Sequence, residues 1–332
     1  MKQFLQSKAK LVFLCLFVVL TCTACANPRG TDGKTKADQI IASEEIQIDT
    51  DRVNIKDIKD AKTKKQIKKQ VKDGKITIQP TTFSDAMSNG WFDGLIVWPI
   101  AQVINKIASC TDAGIGIILT TLLIQGLIFV FTRKSQMSTQ RMQEIQPEMQ
   151  KIQNKYKDKT DDRSKMLMYQ ETQELYKKYD IKPLGSMLIT FIQLPIMMGM
   201  YYATMRASAV VYGSFLGVEL SGTPLEGFKS FNFPYILIYV LMVIFYIVSM
   251  KLPQWLKKWQ DKKDNVKVKK YAESKNDNPM MNSMNTTMYF STALICFMYL
   301  SWPIAMSFYW LVSSIIRVGQ AFILHGIMNK KK

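Results

Sequence analysis

Histidine is almost missing from this chain: His325 is the only one in 332 residues. A metal centre built on imidazole therefore has no ligand set to draw on. Cysteine is scarce as well, five in all, and Cys15 and Cys22 lie in an N-terminal apolar stretch. The other three, Cys25, Cys110 and Cys296, make neither a disulfide framework nor a metal cluster. There is no Walker-type glycine-rich phosphate loop, so no nucleotide hydrolysis, no catalytic residue, no metal and no cofactor is expected. Acidic residues are outnumbered, 26 against 44 Lys and Arg, giving a net charge of +18. Such an excess marks either nucleic-acid contact or the cytoplasmic side of a membrane protein.

A mean hydropathy of −0.02 looks soluble. The average hides a segregation into apolar and charged blocks. Residues 114–132 and 184–206 are long apolar runs, the first without any charge, each about the ~20 residues that cross a bilayer as a helix. Between them, residues 133–183 are highly charged. Further apolar runs follow at 233–251, 288–303 and 305–327, the last broken only by Arg317. The excess charge is thus read as topological, and sequence-specific nucleic-acid binding is not expected.

The N-terminus carries Lys2, Lys8 and Lys10, then an apolar stretch from Leu11 to Leu20. That is a signal-peptide pattern, too short for a good span. Thr23 and Ala24 before Cys25 resemble a bacterial lipobox, although Cys22 stands where an aliphatic residue is usual. Residues 1–24 are expected to be removed and Cys25 to be lipidated; an uncleaved signal anchor is the alternative. Residues 25–90 form a polar extracytoplasmic region. Residues 45–48 and 75–78 alternate like short strands, and the lysine-rich stretch from Val53 has a weak helical pattern. A small subdomain and a solvated tether both fit. Residues 91–109 are rich in Trp and Ile but interrupted by Asp93, Gln102, Asn105 and Lys106, which suits an amphipathic helix in the membrane interface.

In the charged block, Met142, Ile145, Met149, Ile152 and Tyr156 recur at steps of three and four, as do Met168, Thr172, Leu175 and Tyr179. The polar stretch 157–163 separates them, and Pro183 ends the second series. This predicts a coiled-coil-like helical hairpin. Its bases, with those of the loop 252–287 and the final lysines, mark the cytoplasm, whereas Lys229 is the one base between Ala207 and Asn232. The expected fold is an all-α integral membrane protein with five transmembrane helices, an interfacial amphipathic helix and a cytoplasmic helical hairpin. Its N-terminus is outside and its C-terminus inside the cell membrane.

Several ordered motifs carry a resemblance. Residues 114–119 read GIGIIL, 146–149 read QPEM and 155–157 read KYK. Residues 183–185 read PLG and 192–196 read IQLPI; Pro303, Tyr309, Trp310 and Gln320 follow in the last run. From Trp91 to Ile327 the chain resembles the YidC family of membrane protein insertases, in its Gram-positive lipoprotein form. The resemblance implies a hydrophilic groove inside the bilayer, open to cytoplasm and lipid and closed outside, that inserts and helps fold nascent integral membrane proteins without ATP. It implies the Sec translocon, the signal recognition machinery and the ribosome as candidate partners beside the lipid bilayer.

The groove residues expected here are Gln125, Thr121, Gln193, Arg317, Ser314 and Gln320. Gln125 is polar within an uncharged run, and Thr121 lies one turn away on the same face. Family members usually carry arginine at the position of Gln125, proline at Val130 and asparagine at Ser314. Arg317, costly inside a span, is then the candidate for a relocated groove charge. The competing readings are an arginine snorkelling to the interface and Gln125 as interhelical glue. Two other functions stand beside the insertase: a specialised paralogue serving as a dedicated membrane chaperone with partners, and a small-solute transporter.

Overall fold

The structure is a computed structural model that describes residues 27–157, 159, 161–181, 183–263, 290 and 292–329. The signal peptide, Cys25, most of the basic loop 252–287 and the start of the run 288–303 lie outside the described residues. The chain divides into two compact units. One holds the residues up to Thr120 with Ile192–Gly222 and Pro303–Met306; the other holds Thr121–Phe191, Thr223–Trp302 and Ser307–Lys332.

In the first unit, residues 27–81 fold into a small α/β layer, so the polar region is not a solvated tether. Strand β1 (Ile46–Asp49) pairs antiparallel with β3 (Lys75–Ile78), which pairs with the short β2 (Val71–Lys72). Asp73 and Gly74 turn β2 into β3 with φ of 48° and 74°. An Asp-Gly pair is suited to that left-handed corner. The alternation of β1 and β3 puts Ile48, Ile76 and Ile78 inside, where they meet Ile58, Val53 and Ile67 of helix α1 (Ala61–Lys69). Asp60 caps α1 by accepting from the Thr63 amide at 2.8 Å.

Next come α2 (Phe83–Asn89), a π-helical turn (Asp93–Val97) and α3 (Trp98–Cys110). Thr82 and Asp85 form a capping box for α2, which ends at Gly90 with φ 140°. The same unit contains the end of α7 (Pro183–Arg206), the single turn α8 (Ser208–Val211) and a hairpin of β4 (Ser214–Phe215) and β5 (Val218–Glu219).

The N-terminal layer is fastened to this stretch largely through main chain. The Ile41 amide donates to the Arg206 carbonyl at 2.7 Å, and the Ser208 amide donates to the Ile41 carbonyl at 2.9 Å. The Thr35 hydroxyl donates to the Met205 carbonyl at 2.8 Å. The buried Asn105 is paired at both ends of its amide, donating to the Ile41 carbonyl and accepting from the Ala209 amide. Arg206, nearly fully buried, donates to the Gln39 carbonyl and, at 2.7 Å, to the Asp93 carboxylate. The Ile304 and Ala305 amides donate to the carbonyls of Gly222 and Leu220.

The second unit contains most of α4 (Ala113–Glu144), then α5 (Gln146–Lys155), α6 (Asp162–Lys178), α9 (Pro224–Lys229), α10 (Phe233–Lys263), the helical run α11 (292–300) and most of α12 (Ile304–Asn329). Among the described residues, three helices are long and apolar enough to cross a membrane: Ala113–Met142, Phe233–Gln260 and Ile304–Asn329. Helix α4 runs on past its apolar part to Glu144, bends at Ile145, and leads into α5, whose first turn holds Pro147. α5 and α6 then pack as a hairpin around Ile145, Leu175 and Ile181, with Met142, Met149, Ile152, Tyr176 and Tyr179 at the edge. Tyr156, Met168 and Thr172, expected in that stripe, are not in the cluster. α5 ends beside Glu171, which accepts from the Tyr156 hydroxyl at 2.8 Å and pairs with Lys155. Met168 lies beyond that point, and Thr172 instead donates back to its own helix at the Met168 carbonyl.

Candidate functional site

The apolar part of α4 is amphipathic in reverse. Leu122, Leu123, Leu127, Val130 and Phe131 are exposed, whereas Thr121, Gln125 and Thr132 are buried. In water such a helix would face the wrong way. In hydrocarbon the exposed leucines are solvated by lipid, and the polar stripe turns to the protein interior. Thr132 satisfies its hydroxyl on the Ile128 carbonyl at 2.6 Å. Gln125 does not follow suit: it is 5% exposed and its Nε2 has no partner. A buried amide left unpaired costs about 1–3 kcal/mol.

Helix α12 has the same design. Ser307, Trp310, Ser314 and Arg317 follow one another at steps of three, four and three, on one face. Ile315, Phe322, Ile323 and Ile327 are exposed on the other. The Ser307, Ser313 and Ser314 hydroxyls and the Trp310 Nε1 are buried without partners. Tyr246 of α10 meets the Trp310 ring edge-on at 6.1 Å, and Tyr299 of α11 meets it tilted at 5.5 Å. The Arg317 guanidinium lies over the same ring, 5.0 Å from its centroid. Among the described residues no carboxylate pairs with it. Seven residues separate Arg317 from Trp310, about 10 Å of helix at 1.5 Å per residue. The side chain therefore runs back along α12 toward its N-terminal end, as side chains on a helix are tilted to do. It points away from the end marked by His325.

Gln320 is half-buried, one turn from Arg317. His325 is buried; its ring nitrogen is 3.0 Å from the Asn329 amide, which also donates to Gln260. That is a helix-to-helix contact between α10 and α12. Thr121, Gln125, Ser314, Arg317 and Gln320 thus share the second unit, where the Gln125 Nε2 and the Ser314 hydroxyl are buried without partners. Gln193 belongs to the first unit. There it is half-buried with its Nε2 buried and unpartnered, two residues before the helix-internal Pro195. Among the described residues, no group of three or more His, Cys, Asp or Glu could hold a metal.

Comparison with known proteins decides the kind of molecule. Residues 103–331 match the family model described as 60Kd inner membrane protein. The chain belongs to this family, the YidC insertases. It is 31% identical over 248 residues to the membrane protein insertase MisCA of Bacillus subtilis, covering 74% of this chain and 84% of that one. To the membrane protein insertase YidC of Oceanobacillus iheyensis it is 31% identical, covering 74% and 88%. To YidC 1 of Streptococcus pyogenes serotype M1 it is 31% identical over 239 residues, covering 72% and 75%. As a YidC-family chain it is a cell-membrane protein, and its helical character and apolar helices agree with that.

Sequence reasoning missed several polar groups on α12 of this YidC-family chain and beside it. Ser307, Ser313 and the Trp310 indole are buried and unpaired, and Tyr246 and Tyr299 frame the indole. The steps of three and four from Ser307 to Arg317 were the available signal. The buried Arg206–Asp93 pair was also missed: Arg206 stands at a helix end, and its partner lies 113 residues away.

Proposed function

We infer that this chain is a membrane protein insertase and chaperone that takes nascent integral membrane proteins into the bilayer without ATP hydrolysis. Its polar lining comprises Thr121 and Gln125 of α4 and Ser314, Arg317 and Gln320 of α12. Gln193 remains a lining residue by family resemblance alone. The observation that carries this reading is that the polar atoms of Gln125, Ser307, Trp310, Ser313 and Ser314 are buried without partners on helices whose apolar faces are exposed. Moving a polar tail through hydrocarbon strands its hydrogen-bonding groups at several kcal/mol each. Unpaired side-chain donors inside the bilayer offer those groups a temporary partner and shorten the dry path.

Arg317 supplies the fixed charge that family members usually carry at the position of Gln125. The backward reach of its side chain to Trp310 supports a charge held within the bilayer, against an arginine snorkelling to the C-terminal end of α12. On this reading α4, α7, α10, α11 and α12 are five spans, with the N-terminus outside and the C-terminus inside. α3 lies in the outer interface, the α5–α6 hairpin recruits from the cytoplasm, and Cys25 is lipidated. Contact with the Sec translocon, the signal recognition machinery and the ribosome belongs to the same proposal. The ribosome contact runs through the basic loop and weakens with salt.

Proteoliposomes containing only this protein test the reading, with single-span substrates whose N-terminal tails are acidic or neutral. Arg317→Ala is expected to impair the acidic tail more than the neutral one. Gln125→Arg in that background should restore part of the loss. Equal impairment of both tails would remove Arg317 from the mechanism. No insertion by the unaltered protein would favour a dedicated chaperone that acts only with partners.

A further inference from the structure

The N-terminal α/β layer carries a dense positive charge that the insertase reading does not use. Between Lys56 and Lys75 there are nine lysines, no arginine and three acids. Lys64 turns back to donate to the Lys56 carbonyl, and the other eight lysines are exposed. Two of the acids are committed to the fold. Asp57 accepts from the Thr31 amide and hydroxyl, and Asp60 caps α1. Among the described residues no salt bridge reaches any of the nine lysines.

These lysines are placed where they repel one another. With Ile67 packed on the sheet, Lys62, Lys65 and Lys69 form a ridge along the outward face of α1, at steps of three and four. Like charges so spaced destabilise a helix. Lys72 stands directly opposite Lys75 in the β2–β3 ladder, where like charges again oppose pairing. Ile76 and Ile78 face α1, so Lys75 points to the other side of the sheet. α1 passes into β2 through Gln70 alone. The charge therefore runs from one face of the layer, round the end of α1, to the other.

What the layer lacks narrows the partner. Residues 27–82 contain no Phe, Tyr or Trp, so nucleobases have no ring to stack on. Among the described residues before Phe83 no large hydrophobic side chain is exposed, so nothing on the layer dips into a bilayer. A bilayer is also flat and meets one face of the layer, whereas the lysines occupy both. Lysine is a compact point charge that imposes no fork geometry on its acceptor, and it binds phosphate in that way. Such a surface suits a flexible chain whose phosphates recur along its length and follow the charge round the edge of the layer.

We propose that Lys62, Lys65, Lys69, Lys72 and Lys75 form a binding surface for a linear polyol-phosphate polymer. The surface lies ahead of the family match at residues 103–331, goes beyond the insertase reading and does not depend on it. The test uses the full chain in phosphatidylcholine nanodiscs and fluorescein-labelled poly(glycerol phosphate), read by anisotropy. Binding should weaken steeply with salt, because each contact releases counterions. Lys62→Gln, Lys65→Gln, Lys69→Gln and Lys72→Gln together should weaken binding roughly tenfold or more at low salt and flatten the salt dependence. The same four positions changed to arginine keep the charge and should bind as the parent does; an equal loss in both variants would overturn the proposal. Binding that survives the glutamine substitutions would belong to the basic loop 252–287 and would overturn it as well. Equal affinity for polyglutamate of the same charge would overturn it in favour of an acidic peptide. Shielding of these lysines from reductive methylation in phosphatidylglycerol nanodiscs, with no polymer present, would overturn it in favour of a membrane surface.

Discussion

The Arg206–Asp93 pair sets a measurable latch on the first unit. Arg206 has a side chain only 5% exposed, and that of Asp93 is 21% exposed. Replacing Asp93 with alanine leaves the guanidinium buried with the Gln39 carbonyl as its remaining acceptor. Breaking a fully buried pair by removing one partner costs about 3–5 kcal/mol. The partial exposure of Asp93 and the surviving bond lower that to about 2–3 kcal/mol, still dominated by the stranded cation. At 1.4 kcal/mol per tenfold, local opening becomes roughly thirty- to a hundredfold more frequent. The reporters are the Ile41 and Ser208 amides, which bond across the junction on either side of Arg206. Hydrogen exchange in nanodiscs should show their protection falling by that factor in Asp93→Ala. Asp93→Asn, which keeps a carbonyl acceptor, should lose less. Amides of the hairpin cluster, such as Ile181, report the other unit and should not change. Unaltered exchange at Ile41 and Ser208, or an equal change at Ile181, would refute the reasoning.

Leu175→Ala should remove one of three buried side chains from the hairpin cluster, a loss of about 2–4 kcal/mol; limited proteolysis of inverted vesicles should then cut α5–α6 several times faster with the rest of the protein intact. The Glu171 carboxylate is held below the ordinary carboxylate range by hydrogen bonds from Lys155 and Tyr156. A depressed carboxylate contributes at neutral pH and loses its contribution as pH falls through its lowered value, so hairpin protection should hold at pH 7 and fade only below about pH 4. Mass spectrometry of the mature N-terminal peptide should find an acylated Cys25; an unmodified peptide spanning Cys22 and Cys25 would refute lipidation. Protease added outside intact cells should leave the hairpin uncut, and cleavage there would reverse the proposed topology.

The long helices were legible because length and lack of charge are all that a span requires, and a lone glutamine stands out in such a run. Ile145, Met149 and Leu175 were legible from their steps of three and four. Ile181 was not, because it lies past the helix end, where periodicity says nothing. The strands β1 and β3 could be read from alternation. Their attachment could not, because Ile41, Arg206 and Ser208 meet through backbone groups that every residue carries. At the candidate site, the sequence could name Arg317 but not the direction of its side chain. A rotamer decides that, and here the Trp310 ring fixes it.

The junction between Ile41 and Ala207 has a consequence for how the molecule is made. The N-terminal layer is synthesised first, yet the segment it grips is made more than 160 residues later. At about 5–20 residues per second, the delay is on the order of ten to thirty seconds. Through that interval Thr35, Gln39 and Ile41 wait with unfilled backbone and side-chain partners, on the far side of the membrane from the ribosome under the proposed topology. The last fastening, from Ile304 and Ala305 to Gly222 and Leu220, waits longer still. For that time the chain is itself an unfinished membrane protein, like those the proposed function has it receive.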